Sequence, residues 1–314
     1  MHSHGTPTGL RLKLSALATG LFVAIEFVIG WRANSLALIS DAGHNLTDVA
    51  ALILSAWALA MATRPADGQR TFGYHRVGVL AALLNAVTLV LLAGYIFYEG
   101  VQRLRQPEDV ASGPMIVVAL VALALNATIA LSLQRASKGD VNVRAAFIHM
   151  LGDALSSVGV VIAGIGVLLT GSSLWDPAVS LLIGGFILWS SWSIIRETVR
   201  VLLEGTPDGL DIAAVARDMA AVPGVANVHD LHAWTLGPNV NALSAHVLVQ
   251  EPALTSQREV VAVVQRVKQM LAEQYGIEHA TLETHCAETA DGCAIDQLAC
   301  AIHLRGAHAH EHTY

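Results

Sequence analysis

Residues 35–60 read SLALISDAGHNLTDVAALILSAWALA, and residues 145–169 read AAFIHMLGDALSSVGVVIAGIGVLL. Both are long apolar runs, and both carry the same buried signature, His-x-x-x-Asp: His44 with Asp48 in the first, His149 with Asp153 in the second. Ionisable side chains are costly in hydrocarbon, so inside an apolar span they mark an ion or proton path. On a helix the i, i+4 spacing stacks each pair on one face, about 5–6 Å apart at Cβ. Two such helices packed at about 8–10 Å bring two imidazoles and two carboxylates to one point. That donor set suits a tetrahedral divalent metal, zinc above all. Two carboxylates also offset one M²⁺. Interhelical hydrogen bonds could satisfy a single intramembrane His as packing glue, but two matching pairs favour a shared site.

The rest of the chain agrees with a membrane protein. Of 314 residues, 54% are hydrophobic and only 14% charged, with a mean hydropathy of +0.54, which is unusual for a soluble domain of this length. Apolar segments cover approximately 12–31, 36–62, 77–101, 114–134, 145–170 and 176–195. Each is near the length that crosses a hydrocarbon core of about 30 Å. Arg11 and Lys13 precede the first segment as they would in a signal peptide, yet Glu26 within it and the lack of a small-residue cleavage pattern predict a retained helix. Six spans put both ends of the chain on one side of the membrane. Arg11, Lys13, Arg64, Arg70, Arg76, Arg135, Lys138, Arg144, Arg196 and Arg200 flank that side, against Arg32, Arg103 and Arg105 on the other. The positive-inside rule therefore predicts cytoplasmic termini. In this topology His44 and Asp48 lie about 12 and 18 Å from the outer face, and Asp153 about 12 Å from the inner one. The two pairs are thus predicted at compatible depths.

After Leu203 the pattern changes. LEGTPDG, residues 203–209, is a turn-rich linker. Beyond it the periodicity predicts an amphipathic helix over 209–221, strands over 225–236 and 240–250, a second helix over 255–275 and a third strand over 278–285. This αββαβ order packs two helices on one face of a three-stranded sheet, a ferredoxin-like or metallochaperone-like arrangement. The expected organisation is an N-terminal tail 1–10 bearing His2 and His4, a six-helix membrane domain 11–203, a cytoplasmic metal-binding α/β domain 204–287, and a tail 288–314 with Cys293, Cys300, His308, His310 and His312.

The soluble part is rich in metal-competent side chains: His229, His232, His246, His279, His285 and Cys286. Strict strand alternation puts His229 and His232 on opposite sheet faces and His279 and His285 on one face. Asp230, His232 and Trp234 share a face, which also admits a structural or interface role for His232. The seven-residue spacing of Cys286, Cys293 and Cys300 is not that of a zinc knuckle, and a reducing compartment disfavours structural disulfides. The short His tracts can collect metal ions loosely. A net charge of −7 speaks against a nucleic-acid partner.

Taken together, SLALISDAGHNLTDV, RPADGQRTFGYHR, HMLGDALSSVGV, VLLEGTP and HDLHAW resemble the zinc-transporting branch of the cation diffusion facilitator family, over roughly residues 11–286. The resemblance implies a homodimeric Zn²⁺/H⁺ antiporter of six membrane helices and a cytoplasmic metallochaperone-like domain, set in a lipid bilayer such as a bacterial inner membrane. It implies that His44, Asp48, His149 and Asp153 form the transport site, and that His rather than Asp at the first position favours zinc over cadmium. It places His229, His246 and His285 where relatives hold zinc between the domains of the dimer, with His279 as an additional ligand. Some relatives have an acidic residue where this chain has Ala287, and Cys286 is the substitute ligand expected there. In the loop that follows the second helix, Asp67 matches a metal ligand of some members, but Arg70 and Tyr74 stand where those members have His, so no strong loop site is expected.

Chemistry suggests how such a site would work. Zinc requires neutral imidazole and ionised carboxylate, so protons compete with it directly, and histidine titrates close to cytoplasmic pH. Two rival classes fit the residues less well. A metalloenzyme would leave an open metal position and a general base, commonly within HExxH, and that motif is absent. A zinc-responsive membrane sensor or binding protein would explain the soluble histidines but not a charge cluster in mid-membrane.

Overall fold

The computed structural model describes residues 7–138, 141–238, 240–250 and 257–285. Cys286, Cys293, Cys300 and the terminal histidines lie outside the described residues. The chain divides into two compact units, residues 1–60 with 80–197, and residues 61–79 with 198–314.

Six long helices occupy the predicted apolar segments: α1 Pro7–Ala33, α2 Leu36–Ala62, α3 Arg76–Arg105, α4 Ser112–Leu133, α5 Val141–Thr170 and α6 Trp175–Leu202. Helices α2 to α6 are long and apolar enough to cross a membrane, and α1, at 27 residues, is the remaining long helix. Their polarity is inverted relative to a soluble bundle. Leu52, Leu91, Leu155, Leu182 and Trp189 are largely exposed, while Glu26, Asp41, His44 and Asp153 are buried. That is the distribution expected where lipid, not water, is the solvent.

The first unit is held by an apolar cluster that includes Ala37 and Leu38 of α2, Leu89, Ala93 and Ile96 of α3, Met115 and Val118 of α4, Val160 and Ala163 of α5, and Ile183 and Ile187 of α6. Small residues allow close approach of backbones. A Cβ added at Gly164 of α5 would stand 2.5 Å from Ile116 Cγ1 of α4, so any larger residue there would force the α4 side chain to shift.

A buried carboxylate fixes where α2 begins. Asp176, in the first turn of α6, accepts from Ser35 Oγ at 2.6 Å, from the Leu36 N–H at 2.7 Å and from the Ala37 N–H at 3.2 Å. The first N–H groups of a helix have no intrahelical partner and carry partial positive charge, so a carboxylate from α6 both satisfies them and ties α2 to α6. Asn34, at φ 53°, makes the turn between α1 and α2, and its side chain and carbonyl are held by Arg103 of α3.

The second unit contains α7 Ile212–Ala220, β1 Val225–Gly237, β2 Val240–Val249, α8 Gln257–Tyr275 and β3 His279–His285, the predicted αββαβ order. Asp211 caps α7 by accepting from the Ala213 N–H at 2.9 Å. Val263, Val267 and Leu271 recur every four residues on the buried stripe of α8. Both helices share one core with Val228, Leu231, Ala233, Leu243, Ala245 and Val247 of the sheet. The strand order is β1-β2-β3, with β1 and β2 antiparallel and β2 and β3 parallel. A parallel pair needs a crossover, and α8 supplies it.

One feature of β1 departs from strict alternation. His229 pairs with His246 and His232 with Ser244, so three steps on β1 match two on β2. Asp230 sits in this bulge at φ 48°, a left-handed conformation that Asp tolerates better than most residues. The extra residue restores parity. His229 and His232 therefore lie on the same sheet face, away from the helices, and not on opposite faces as simple alternation predicts.

Candidate metal sites

In the first unit, the four residues of the doubled signature converge. His44 Nε2 lies 3.7 Å from Asp48 Oδ2 and 3.5 Å from Asp153 Oδ1; His149 Nε2 lies 3.3 Å from Asp48 Oδ2 and 3.6 Å from Asp153 Oδ2. The two imidazole centroids are 6.1 Å apart and near perpendicular. Ligand atoms of His44, Asp48 and Asp153 all fall within 4.8 Å of one another. His44 and Asp153 are buried, whereas the His149 side chain is 44% exposed and forms the open side of the cluster. His44 Nδ1 and Asp48 Oδ2 are buried without a hydrogen-bond partner among the described residues. Buried polar atoms are normally satisfied, so a buried carboxylate oxygen with no hydrogen bond, set between two imidazoles, fits a cation.

A supporting layer surrounds them. Ser156 and Ser157 of α5 donate to the two oxygens of Asp41 on α2, at 2.5 and 3.3 Å, and Ser157 also bonds the Asp153 carbonyl at 3.0 Å. Asn45 donates to buried Glu26 of α1 at 3.4 Å. These bonds link α2 to α5 and to α1, one turn from the signature residues. Asp41 and Glu26 are apparent in the sequence only as polar residues in apolar runs; their partners are set by packing.

In the second unit, three of the predicted residues come together on the outer face of the sheet. His229, His246 and His285 have ring centroids 4.7–6.0 Å apart, with His285 Nε2 3.2 Å from His246 Nδ1. One ring nitrogen from each lies within 4.8 Å of the others. His229 is 1% exposed, and its Nδ1 has no hydrogen-bond partner among the described residues. Burial, and after it the neighbouring His246 and His285, hold the His229 imidazole below its usual pKa. That keeps it neutral, the form a metal binds. The trio therefore fits a nitrogen-ligated metal such as zinc.

His279 does not join this cluster. It begins β3 opposite Ala242, six residues from His285, and its ring packs edge-on against Phe72 at 6.4 Å. It shares a face with His285 as predicted, but a strand advances about 3.3 Å per residue, which puts the two histidines at opposite ends of it. Cys286 lies outside the described residues. Two carboxylates border the trio, Asp230, placed by alternation only on the face of His232, and Glu283, which no motif marks: Asp230 Oδ2 and Glu283 Oε2 are 3.7 and 3.6 Å from His246 Nε2.

In the 61–79 segment, Asp67 is engaged by its own loop. Its Oδ2 accepts from Tyr74 Oη at 2.7 Å, its Oδ1 accepts from the N–H groups of Gln69 and Arg70 at 2.9 and 2.8 Å, and Arg70 lies over the Tyr74 ring. The Tyr74 hydrogen bond first, then the backbone N–H bonds, hold the Asp67 carboxyl below the usual carboxylate range.

Six long helices with buried ionisable groups, followed by an α/β domain, define a multi-pass integral membrane protein. Residues 12–203 match the family description "Cation efflux transmembrane domain" and residues 207–284 match "Cation efflux protein, cytoplasmic domain". The chain belongs to the cation efflux family. It is 41% identical over 288 residues to the metal cation efflux system protein CzcD of Cupriavidus metallidurans, covering 91% of this chain and 90% of that one. Similarity to the zinc transporter ZitB of Pectobacterium atrosepticum is 38% identity, covering 90% and 87% of the two chains. A cadmium, cobalt and zinc/H(+)-K(+) antiporter of Bacillus velezensis is 33% identical, covering 91% and 92%.

Proposed function

We propose that this protein exports Zn²⁺ from the cytoplasm in exchange for protons, by alternating access to a site made of His44, Asp48, His149 and Asp153. The observation that carries this reading is the convergence of all four side chains, with His–Asp distances of 3.3–3.7 Å, where α2 meets α5. Two imidazoles and two carboxylates match the preferences of zinc and cancel its charge. Facing the cytoplasm, the site loads Zn²⁺ as its imidazoles and carboxylates lose protons; facing a more acidic exterior, protonation of the same groups expels the ion. The relatives named as a zinc transporter and as a cadmium, cobalt and zinc/H(+)-K(+) antiporter support both halves of the exchange.

In the same reading the membrane domain spans 11–203 with both termini cytoplasmic in a bacterial inner membrane, and the domain 204–287 holds a regulatory zinc through His229, His246 and His285 at the centre of a homodimer. A zinc-responsive sensor without flux is the competing reading, favoured by this second cluster alone. Purified protein in sealed proteoliposomes separates them. Zinc uptake driven by an imposed pH gradient, accompanied by counterflow of protons, is the expected result. Zinc binding without uptake would establish the sensor instead.

A further inference from the structure

A metal-binding imidazole works best when its other nitrogen is held, because that partner fixes the tautomer and the ring orientation. His246 faces two different environments. Its Nδ1 points to His285 Nε2 at 3.2 Å, inside the trio, while its Nε2 points out of the trio towards Asp230 Oδ2 at 3.7 Å and Glu283 Oε2 at 3.6 Å. At these distances the contact is electrostatic, and because carboxylates accept and do not donate, it favours the tautomer with the His246 proton on Nε2 and the lone pair on Nδ1.

The two carboxylates differ. The Glu283 side chain is 65% exposed and also meets His285 Nε2 at 3.7 Å, so water screens and shares it. The Asp230 side chain is 22% exposed, and its second oxygen accepts from His232 Nε2 at 2.9 Å. Asp230 is also where β1 departs from regular geometry, at φ 48° within the bulge. Bulges recur where a strand must re-aim a side chain. Here the bulge brings His232 onto the face of His229 and sets a carboxylate between His232 and His246.

We infer that Asp230 is a positioning residue for the cytoplasmic metal site, anchored by His232, which selects Nδ1 of His246 as the ligating atom. This rests on the reading of His229, His246 and His285 as a metal site. Asp230 lies beyond the ligand sphere and acts through His246.

Co²⁺ titration of the full chain in detergent, followed by visible absorption, tests it in an Asp48→Asn, Asp153→Asn background that silences the membrane cluster. Subtracting the spectrum of the His229, His246 and His285 triple alanine variant isolates the band of the trio. Absence of any difference band would overturn the metal site itself, and the inference with it. With the band present, Asp230→Gly, which removes the carboxylate and suits the positive φ, should weaken Co²⁺ binding about 10–100-fold without moving the band. Asp230→Asn should recover most of that loss, because its amide oxygen still accepts the Nε2 proton, and Glu283→Ala should cost far less than Asp230→Gly. Parent-like affinity in Asp230→Gly, a displaced band indicating a lost ligand, no recovery in Asp230→Asn, or an equal loss in Glu283→Ala would each overturn the assignment.

Discussion

His149 Nε2 lies closer to Asp48 on α2, at 3.3 Å, than to Asp153 on its own helix, at 3.6 Å. The same crossing holds for His44, 3.5 Å from Asp153 and 3.7 Å from Asp48. Each half of the doubled signature is thus completed by the other, and neither helix carries the site alone. Whatever separates α2 from α5 dismantles the cluster without altering a ligand.

Asp48→Ala and Asp153→Ala are each expected to abolish zinc flux in proteoliposomes while the protein remains assembled by size-exclusion chromatography. Removing one partner from a buried charge cluster costs about 3–5 kcal/mol, or roughly two to four powers of ten in binding. Wild-type flux in either variant would exclude the proposed transport site.

Selectivity should move with the donor atoms. His44→Asp exchanges a one-atom nitrogen ligand for a carboxylate that can bind through two oxygens, which relaxes the four-coordinate geometry zinc prefers, so the larger cadmium ion should gain relative to zinc in competition assays. An unchanged ranking of the two metals would count against His44 as a ligand.

Replacing His229, His246 and His285 together should weaken zinc binding by the second unit and shift the zinc dependence of transport, with flux retained at saturating zinc. In the proposed reading these side chains would act on transport only indirectly, a coupling of about 1–3 kcal/mol. Complete loss of flux in a folded triple variant would make the cytoplasmic site obligatory.

The depressed pKa of His229 gives a pH dependence with a definite sign. Below the unfolded value near 6.5 the unfolded chain binds a proton that the folded one resists, so the stability from neutral His229 is present above that pH and is lost as pH falls through the lower folded value. Metal-free protein should therefore lose thermal stability as pH is lowered from 7.5 to 5.5, and His229→Leu should lose less. Equal losses in the two proteins would show that His229 does not titrate with folding.

Six helices, the αββαβ order and the four-residue membrane signature were legible in the sequence because each rests on a local period: apolar runs of membrane length, the i, i+4 step of a helix, and the alternation of strands. Periodicity says which residues share a face, and it brought His44, Asp48, His149 and Asp153 to attention before any packing was known. It does not say how far apart two residues of one face lie: His279 shares a face with His285 yet stands at the far end of β3 against Phe72, out of reach of the ligand role that the family resemblance implies for it. Nor does it reveal a register shift. One extra residue at Asp230 reverses the facing of everything beyond it, and that bulge forms only when β1 is paired to β2. The crossed His–Asp contacts, the Asp176 cap on α2 and the Asp230–His246 contact are likewise tertiary. Each joins groups remote in sequence or re-aimed by strand pairing, through distances that no single element determines.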